Sequence, residues 1–247
     1  MSNAAYFSVK LSTPLGPIRG KVAIETGPMR LAELVPTALE LTNILVDRAL
    51  RREEQRGKKV TCGPGCGVCC CQMVALSPPE AFYLSEMIAS LDDNVREKIL
   101  GRIQRIVRTV KDRGMVEELM APEYSDDTAL AIAKEYFGLG MSCPFLEDYS
   151  CSIHPNRPVA CREYNVTSPA AWCADPYSHE IEKVPMPMPL SIPLARLHAQ
   201  LTDTKPRLIP LTLVPMWVAE HADLKDRAWP GQGVFERFMA EVGTPPG

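Results

Sequence analysis

No window of the 247-residue sequence reaches 18 uninterrupted apolar residues, the length at which a segment becomes a candidate to cross a bilayer. The N-terminal stretch MSNAAYFSVKLSTPLG also lacks the basic region followed by an apolar region that marks a secretory leader. The expectation is a cytoplasmic chain that neither spans a membrane nor is secreted, and a membrane is not an expected partner. Basic residues are not in excess either: 27 Lys and Arg stand against 30 Asp and Glu, for a net charge of −3. Without surplus cations to neutralise phosphates, nucleic acid is not an expected partner. There is no internal repeat and no low-complexity tract, and no G-x-G-x-x-G follows a strand, which argues against a classical methyl-donor fold but not against an unusual one.

What is present is 46% hydrophobic content, enough for one good core. A mainly α fold is expected: an irregular helical domain with a loop-rich, cysteine-ligated lobe and a small N-terminal β-hairpin. Residues 1–59 should supply the hairpin and a helix, 60–176 a cysteine-cluster domain, and 177–247 a helical extension packed on the same body. Residues 5–25 alternate apolar and polar around Pro14-Leu15-Gly16, the pattern of the hairpin. From Leu31 to Arg56, Leu39, Ile44, Leu45 and Ala49 recur near helical spacing, with Pro36 expected in the first turn or marking the helix start. Ser77-Pro78-Pro79-Glu80 has the form of a capping box ahead of a helix through Leu91. Residues 93–113 repeat Val95, Ile99, Ile103 and Ile106 or Val107 on one stripe. A further helix runs from Ser125 to Phe137, and 191–201, 216–227 and 233–242 read as short helices. Residues 141–176 hold five prolines and four cysteines without a sustained period, so an outside constraint is needed to order them.

The nine cysteines fall into two sets. The first reads Cys62-Gly-Pro-Gly-Cys66-Gly-Val-Cys69-Cys70-Cys71, with gaps of three and then two residues and glycines that let the backbone fold tightly around an ion. The second comprises Cys143, Cys151, Cys161 and Cys173. Adjacent cysteines pair poorly as disulfides, and buried apolar cysteine does not account for such clustering. A thioredoxin-like role for Cys66-Gly-Val-Cys69 would need a βαβ setting that is missing. Neither set alone supplies enough well-spaced ligands for a closed site, whereas together they suffice for one four-thiolate site with spares or for two. All-sulfur ligation excludes magnesium and calcium and selects zinc, copper(I) or iron–sulfur.

Cys62-x3-Cys66-x2-Cys69-Cys70, CPFL at 143–146 and C-x-I-x-x-x-RP-x-x-CREY from 151 to 164 together resemble the bacterial CxxxCxxCC cysteine-cluster family, the YkgJ type, described as zinc- or iron-chelating. The resemblance covers about residues 60–175 and leaves both flanks outside. It implies metal-binding roles for Cys62, Cys66, Cys69, Cys70, Cys143, Cys151, Cys161 and Cys173, with Cys71 spare. At His154 the family usually has tyrosine, so this histidine either adds an imidazole ligand or replaces a packing ring, and packing is the favoured role. Arg157 and Arg162 are the candidate cofactor-binding cations, since four thiolates leave a net negative centre that a guanidinium would stabilise.

The function expected is a metal-binding protein in a structural or electron-transfer role. The alternative is a metalloenzyme modifying a peptide or small molecule, in view of the protein lysine methylases among relatives of that family. Glu163, Tyr164, Asp175 and His179 are the polar groups such an enzyme would have at hand. The three-and-two spacing also marks radical S-adenosylmethionine enzymes, but those place the loop after the first strand of a barrel, and here a helix precedes Cys62. A 4Fe-4S cluster is preferred to zinc because one irregular C-x3-C-x2-C loop suits three corners of a cubane better than paired zinc knuckles, with Cys161 the first choice for the fourth corner. The basic stretch Arg48 to Lys59 would suit an acidic protein partner and the proline-rich PMPMPLSIP stretch a partner's groove, although a solvated helix end and a rigid connector are the simpler readings.

Overall fold

The computed structural model describes residues 4–63, 65–121, 125–186 and 188–243. Pro64 of the cysteine loop, residues 122–124, Pro187 of PMPMPLSIP and both chain ends fall outside them. The described chain is mainly helical, with small two-stranded sheets, and none of its helices is long and apolar enough to cross a membrane.

The expected hairpin is β1, Ala4–Leu11, antiparallel to β2, Ile18–Glu25, with Leu11 opposite Ile18. At the turn the Gly16 N–H donates to the Thr13 carbonyl at 2.9 Å and the Leu15 N–H to the Thr13 hydroxyl at 3.1 Å. Gly16 sits at φ +94°, which glycine reaches without a Cβ clash. Alternation puts Val9, Leu11, Ile18 and Ile24 in the core.

β3, Pro28–Arg30, leads into α1, Leu31–Gln55. The Arg30 N–H donates to the Glu33 carboxylate at 2.8 Å, which closes the helix start. Pro36 therefore lies in the second turn rather than at the beginning, where its ring nitrogen cannot donate to the Ala32 carbonyl. The buried stripe runs through Leu34, Ala38, Leu41, Leu45 and Ala49, while Ile44 faces solvent.

After β4, Ala75–Leu76, α2 spans Pro78–Ala89 and α3 spans Asp93–Asp112. Ile99, Ile103, Ile106 and Val110 form the inner stripe of α3, and Val95 in its first turn is exposed. A short α4, Val116–Leu119, precedes α5, Asp126–Gly138, whose N-cap Ser125 hydroxyl accepts from the Thr128 N–H at 3.2 Å.

The segment without a period holds short pieces: β5, Leu146–Glu147, paired with β6, Ser150–Cys151, and α6, Val159–Glu163. α7, Ser191–Thr202, is followed by β7, Ile209–Pro210, which pairs with β4. The helix expected over 216–227 is two, α8 at Val214–Glu220 and α9 at Ala222–Lys225, broken at His221, where ψ is +32°. β8, Ala228–Pro230, pairs with β3 and leads into α10, Gly231–Val242, the last described helix.

One core cluster joins the hairpin to α1, α7 and α10. A second centres on Phe82, Phe145 and Trp217, and a third joins the end of α3 to α4 and α5. Phe145 and Ile153 belong to the second, so apolar burial anchors the cysteine-rich segment to the helical body.

Candidate metal centre

Backbone hydrogen bonds hold the two cysteine sets together. The Cys143 N–H donates to the Cys70 carbonyl at 2.6 Å. Thr61, just before Cys62, donates its N–H to the Val166 carbonyl at 3.0 Å and its hydroxyl to the Ser168 carbonyl at 2.6 Å. The Val166 N–H in turn points at the Cys62 Sγ, 3.3 Å away, a contact that stabilises a thiolate. Between these ties, Val68–Cys71 forms one 3-10 turn that carries Cys69, Cys70 and Cys71 and packs against a second, Ala170–Ala174, that carries Cys173.

Glycine permits this approach at Gly67. A Cβ there would lie 2.5 Å from the Leu146 Cδ1 and 2.8 Å from the Tyr149 carbonyl oxygen, so any side chain would push the first loop off the β5–β6 hairpin. That hairpin sets Cys151 opposite Leu146, with Asp148 and Tyr149 left-handed at its tip.

Cys161 lies in α6, and the start of α6 is fixed from elsewhere. Buried Glu80, the capping residue of α2, accepts from the Ser77 N–H and hydroxyl at 2.9 and 2.7 Å and from the Val159 N–H at 2.9 Å. One carboxylate thus orients the first turns of two helices, 79 residues apart. Arg162 is also buried. Its guanidinium donates to the Arg157 carbonyl at 2.9 Å, to Asn43 Oδ1 at 2.7 Å and to the Pro155 carbonyl, so its N–H groups brace the loop, and it acts on Cys151 and Cys161 through its charge.

The thiols interact across the two sets. A hydrogen bond with Cys70, then burial and the Cys70 charge, hold Cys69 far above the ordinary thiol range. Burial raises Cys161 strongly, reinforced by the charges of Cys143, Cys69 and Cys151. Burial pushes Cys143 up to about 11, with Cys151 and Cys69 adding to it. Burial also raises Cys62, Cys151 and Cys173, and Cys69 contributes to all three. Cys69 is the member felt by both Cys62 and Cys173 on one side and Cys143, Cys151 and Cys161 on the other. The Arg157 cation opposes the rise at Cys62, Cys69, Cys151 and Cys161, and its Nε is buried with no hydrogen-bond partner. Crowded neutral thiols beside an unsatisfied guanidinium N–H are the groups that a bound cation with its thiolate shell would satisfy, so the donor set fits such a group.

Among the described residues, no three His, Cys, Asp or Glu donors stand close enough to share one bare metal ion. All nine cysteines are free thiols. Cys66 is held through its backbone N–H on the Gly63 carbonyl at 3.1 Å. The Cys71 thiol donates to the Val68 carbonyl at 3.2 Å. His154 is exposed rather than packed. Glu163 accepts from the Leu190 N–H at 2.9 Å, with burial pushing its carboxyl up to about 8. His179 stacks on Trp172 at the surface and Asp175 is exposed. Only Tyr164 of that polar group reaches a thiol, that of Cys173, while Gln72 donates to its hydroxyl at 3.4 Å.

The sequence marks Glu80 only as a capping residue and gives Asn43 no role, since no local signal links either to the cysteine segment. The breadth of the Arg157 charge was likewise outside what its place beside Pro158 indicates. No protein-family model matches the chain, and comparisons with curated proteins and with solved structures also find no match.

Proposed function

We propose that this chain is a metal-binding protein that holds an iron–sulfur cluster, in preference to zinc, through cysteine thiolates drawn from both sets, in a structural or electron-transfer role. The supporting observation is the meeting of the two sets at the Cys69–Cys70 turn, tied by the Cys143-to-Cys70 backbone bond. Cys62, Cys66, Cys69, Cys70, Cys143, Cys151, Cys161 and Cys173 are the donors available. Arg157 offsets the negative charge of the thiolate shell, and Arg162 holds the loop that presents Cys161. When bound, a cluster would supply one-electron exchange and a crosslink between the two segments.

The irregular C-x3-C-x2-C loop of Cys62, Cys66 and Cys69 suits three corners of a cubane better than the paired knuckles of a zinc site, which is the reason for preferring it. Among the described residues Glu163 accepts from the Leu190 N–H and Tyr164 reaches the Cys173 thiol; the structural or electron-transfer role is the first reading, and a metalloenzyme at the same cysteine site is the second. Nine free thiols suit a reducing compartment, and a cytoplasmic location belongs to the same proposal.

The test is metal content per chain, by elemental analysis, after reconstitution of the wild type, Cys69→Ser and Cys71→Ser. Cys69→Ser should lose most of the metal and Cys71→Ser should keep it. Equal retention in both variants would count against the proposal.

A further inference from the structure

The positive stretch at the end of α1 is organised rather than dispersed in solvent. From Arg48 to Lys59 the chain carries six cations against two carboxylates, within a protein of net charge −3. The β1–β2 turn folds back onto it. Arg48 Nη1 donates to the Gly16 and Pro17 carbonyls at 3.3 and 2.9 Å, and Arg52 Nη1 to the Pro14 carbonyl at 3.1 Å. No ion pair joins Arg48, Arg51 or Arg52 to a carboxylate among the described residues. A hollow of about 380 Å³ opens between Pro14, Leu15, Arg48, Arg51 and Arg52. A second of about 180 Å³ shares Leu15 and Arg52 with it and continues to Ala49, Glu53 and Pro185.

We infer that this channel is a docking groove for an acidic, partly apolar peptide segment of a partner protein. Guanidinium groups already fixed on backbone carbonyls have less conformational freedom to lose when they accept a carboxylate. Apolar walls at Pro14, Leu15, Ala49 and Pro185 alternate with the cations, matching side chains of both kinds. Two features disfavour a phosphate ligand in the same place. The groove lies at the C-terminal, negative end of α1, whose field opposes a compact phosphate dianion more than single carboxylates spaced among apolar side chains. Buried Glu53, paired to Arg56 at 2.8 Å, also lines it and would repel a dianion. The inference does not depend on the metal reading.

The test is fluorescence anisotropy at low ionic strength with a labelled Glu-Leu-Glu-Glu-Leu-Glu peptide and the full chain. Saturable binding should weaken about tenfold or more in Arg51→Glu. Arg51 is exposed and forms no ion pair among the described residues, so this variant keeps the fold. Lys98→Glu, the same charge change on the exposed face of α3, should shift affinity by less than about twofold. Leu15→Ser should weaken this peptide but not hexaglutamate. Absence of saturable binding, equal losses in Arg51→Glu and Lys98→Glu, or inorganic triphosphate binding more tightly than the peptide would each overturn the inference.

Discussion

At the scale of single residues, the cysteine region depends on groups that are not cysteines. Glu80 satisfies the Ser77 N–H and hydroxyl and the Val159 N–H from a buried position. Glu80→Ala strands these donors, at a cost of roughly 3 kcal/mol on the scale of unsatisfied buried polar groups. Denaturant melts should read that loss, and a cost below about 1 kcal/mol would show that water replaces the carboxylate. The sequence marked Glu80 through Ser-x-x-Glu because capping is a local interaction. It could not mark the bond to Val159, which exists only after two distant helix starts meet. The candidate ligands were legible for the opposite reason: clustered thiols between glycines are a local pattern, and folding adds only which of them meet. His154, assigned a packing role, is exposed because the 3-10 turn that carries it lies on the surface.

At the scale of elements, periodicity located α1 and α3, since each buries a stripe of side chains against the core, and the Ser-x-x-Glu capping box located the start of α2. The pairings β3–β8 and β4–β7 were invisible, because strands of two or three residues carry no period and are specified by their distant partners. The division of 216–227 at His221 escaped for a similar reason, a single backbone angle set by packing rather than composition. Residues 141–176 lie between these cases. Phe145, Ile153 and Val159 are buried anchors, but the intervening pieces are short. If a metal supplies the remaining constraint, verified metal removal should raise proteolytic cleavage within 141–176 while α2 and α3 survive. Mass spectrometry of limited digests would locate the cuts, and an unchanged cleavage map would contradict the role assigned to the metal.

At the scale of the whole molecule, the N-terminal hairpin and α10 pack into one core cluster around α1, and a buried histidine links stability to pH. His198 in α7 is 3% exposed, lies beside the rings of Phe82 and Trp217, and has no hydrogen-bond partner for either ring nitrogen. Burial, with the charges of His221 and Arg207, lowers it from an ordinary 6.5 to about 4. The unfolded chain therefore takes up a proton first as the pH falls. The stabilising preference for neutral His198 is complete above pH 6.5 and lost progressively down to about pH 4, amounting to roughly 3 kcal/mol. His198→Leu should flatten the acid side of the stability profile by about one proton relative to the wild type. Identical slopes for the two proteins would show that His198 is not the source of the acid sensitivity.

If thiolates from both cysteine sets hold one iron–sulfur centre, anaerobic isolation followed by a visible spectrum and metal analysis on the same sample will show it. Brown protein with broad visible absorbance and about four irons per chain is the predicted result. Colourless protein carrying stoichiometric zinc, or no metal, under those conditions would contradict it.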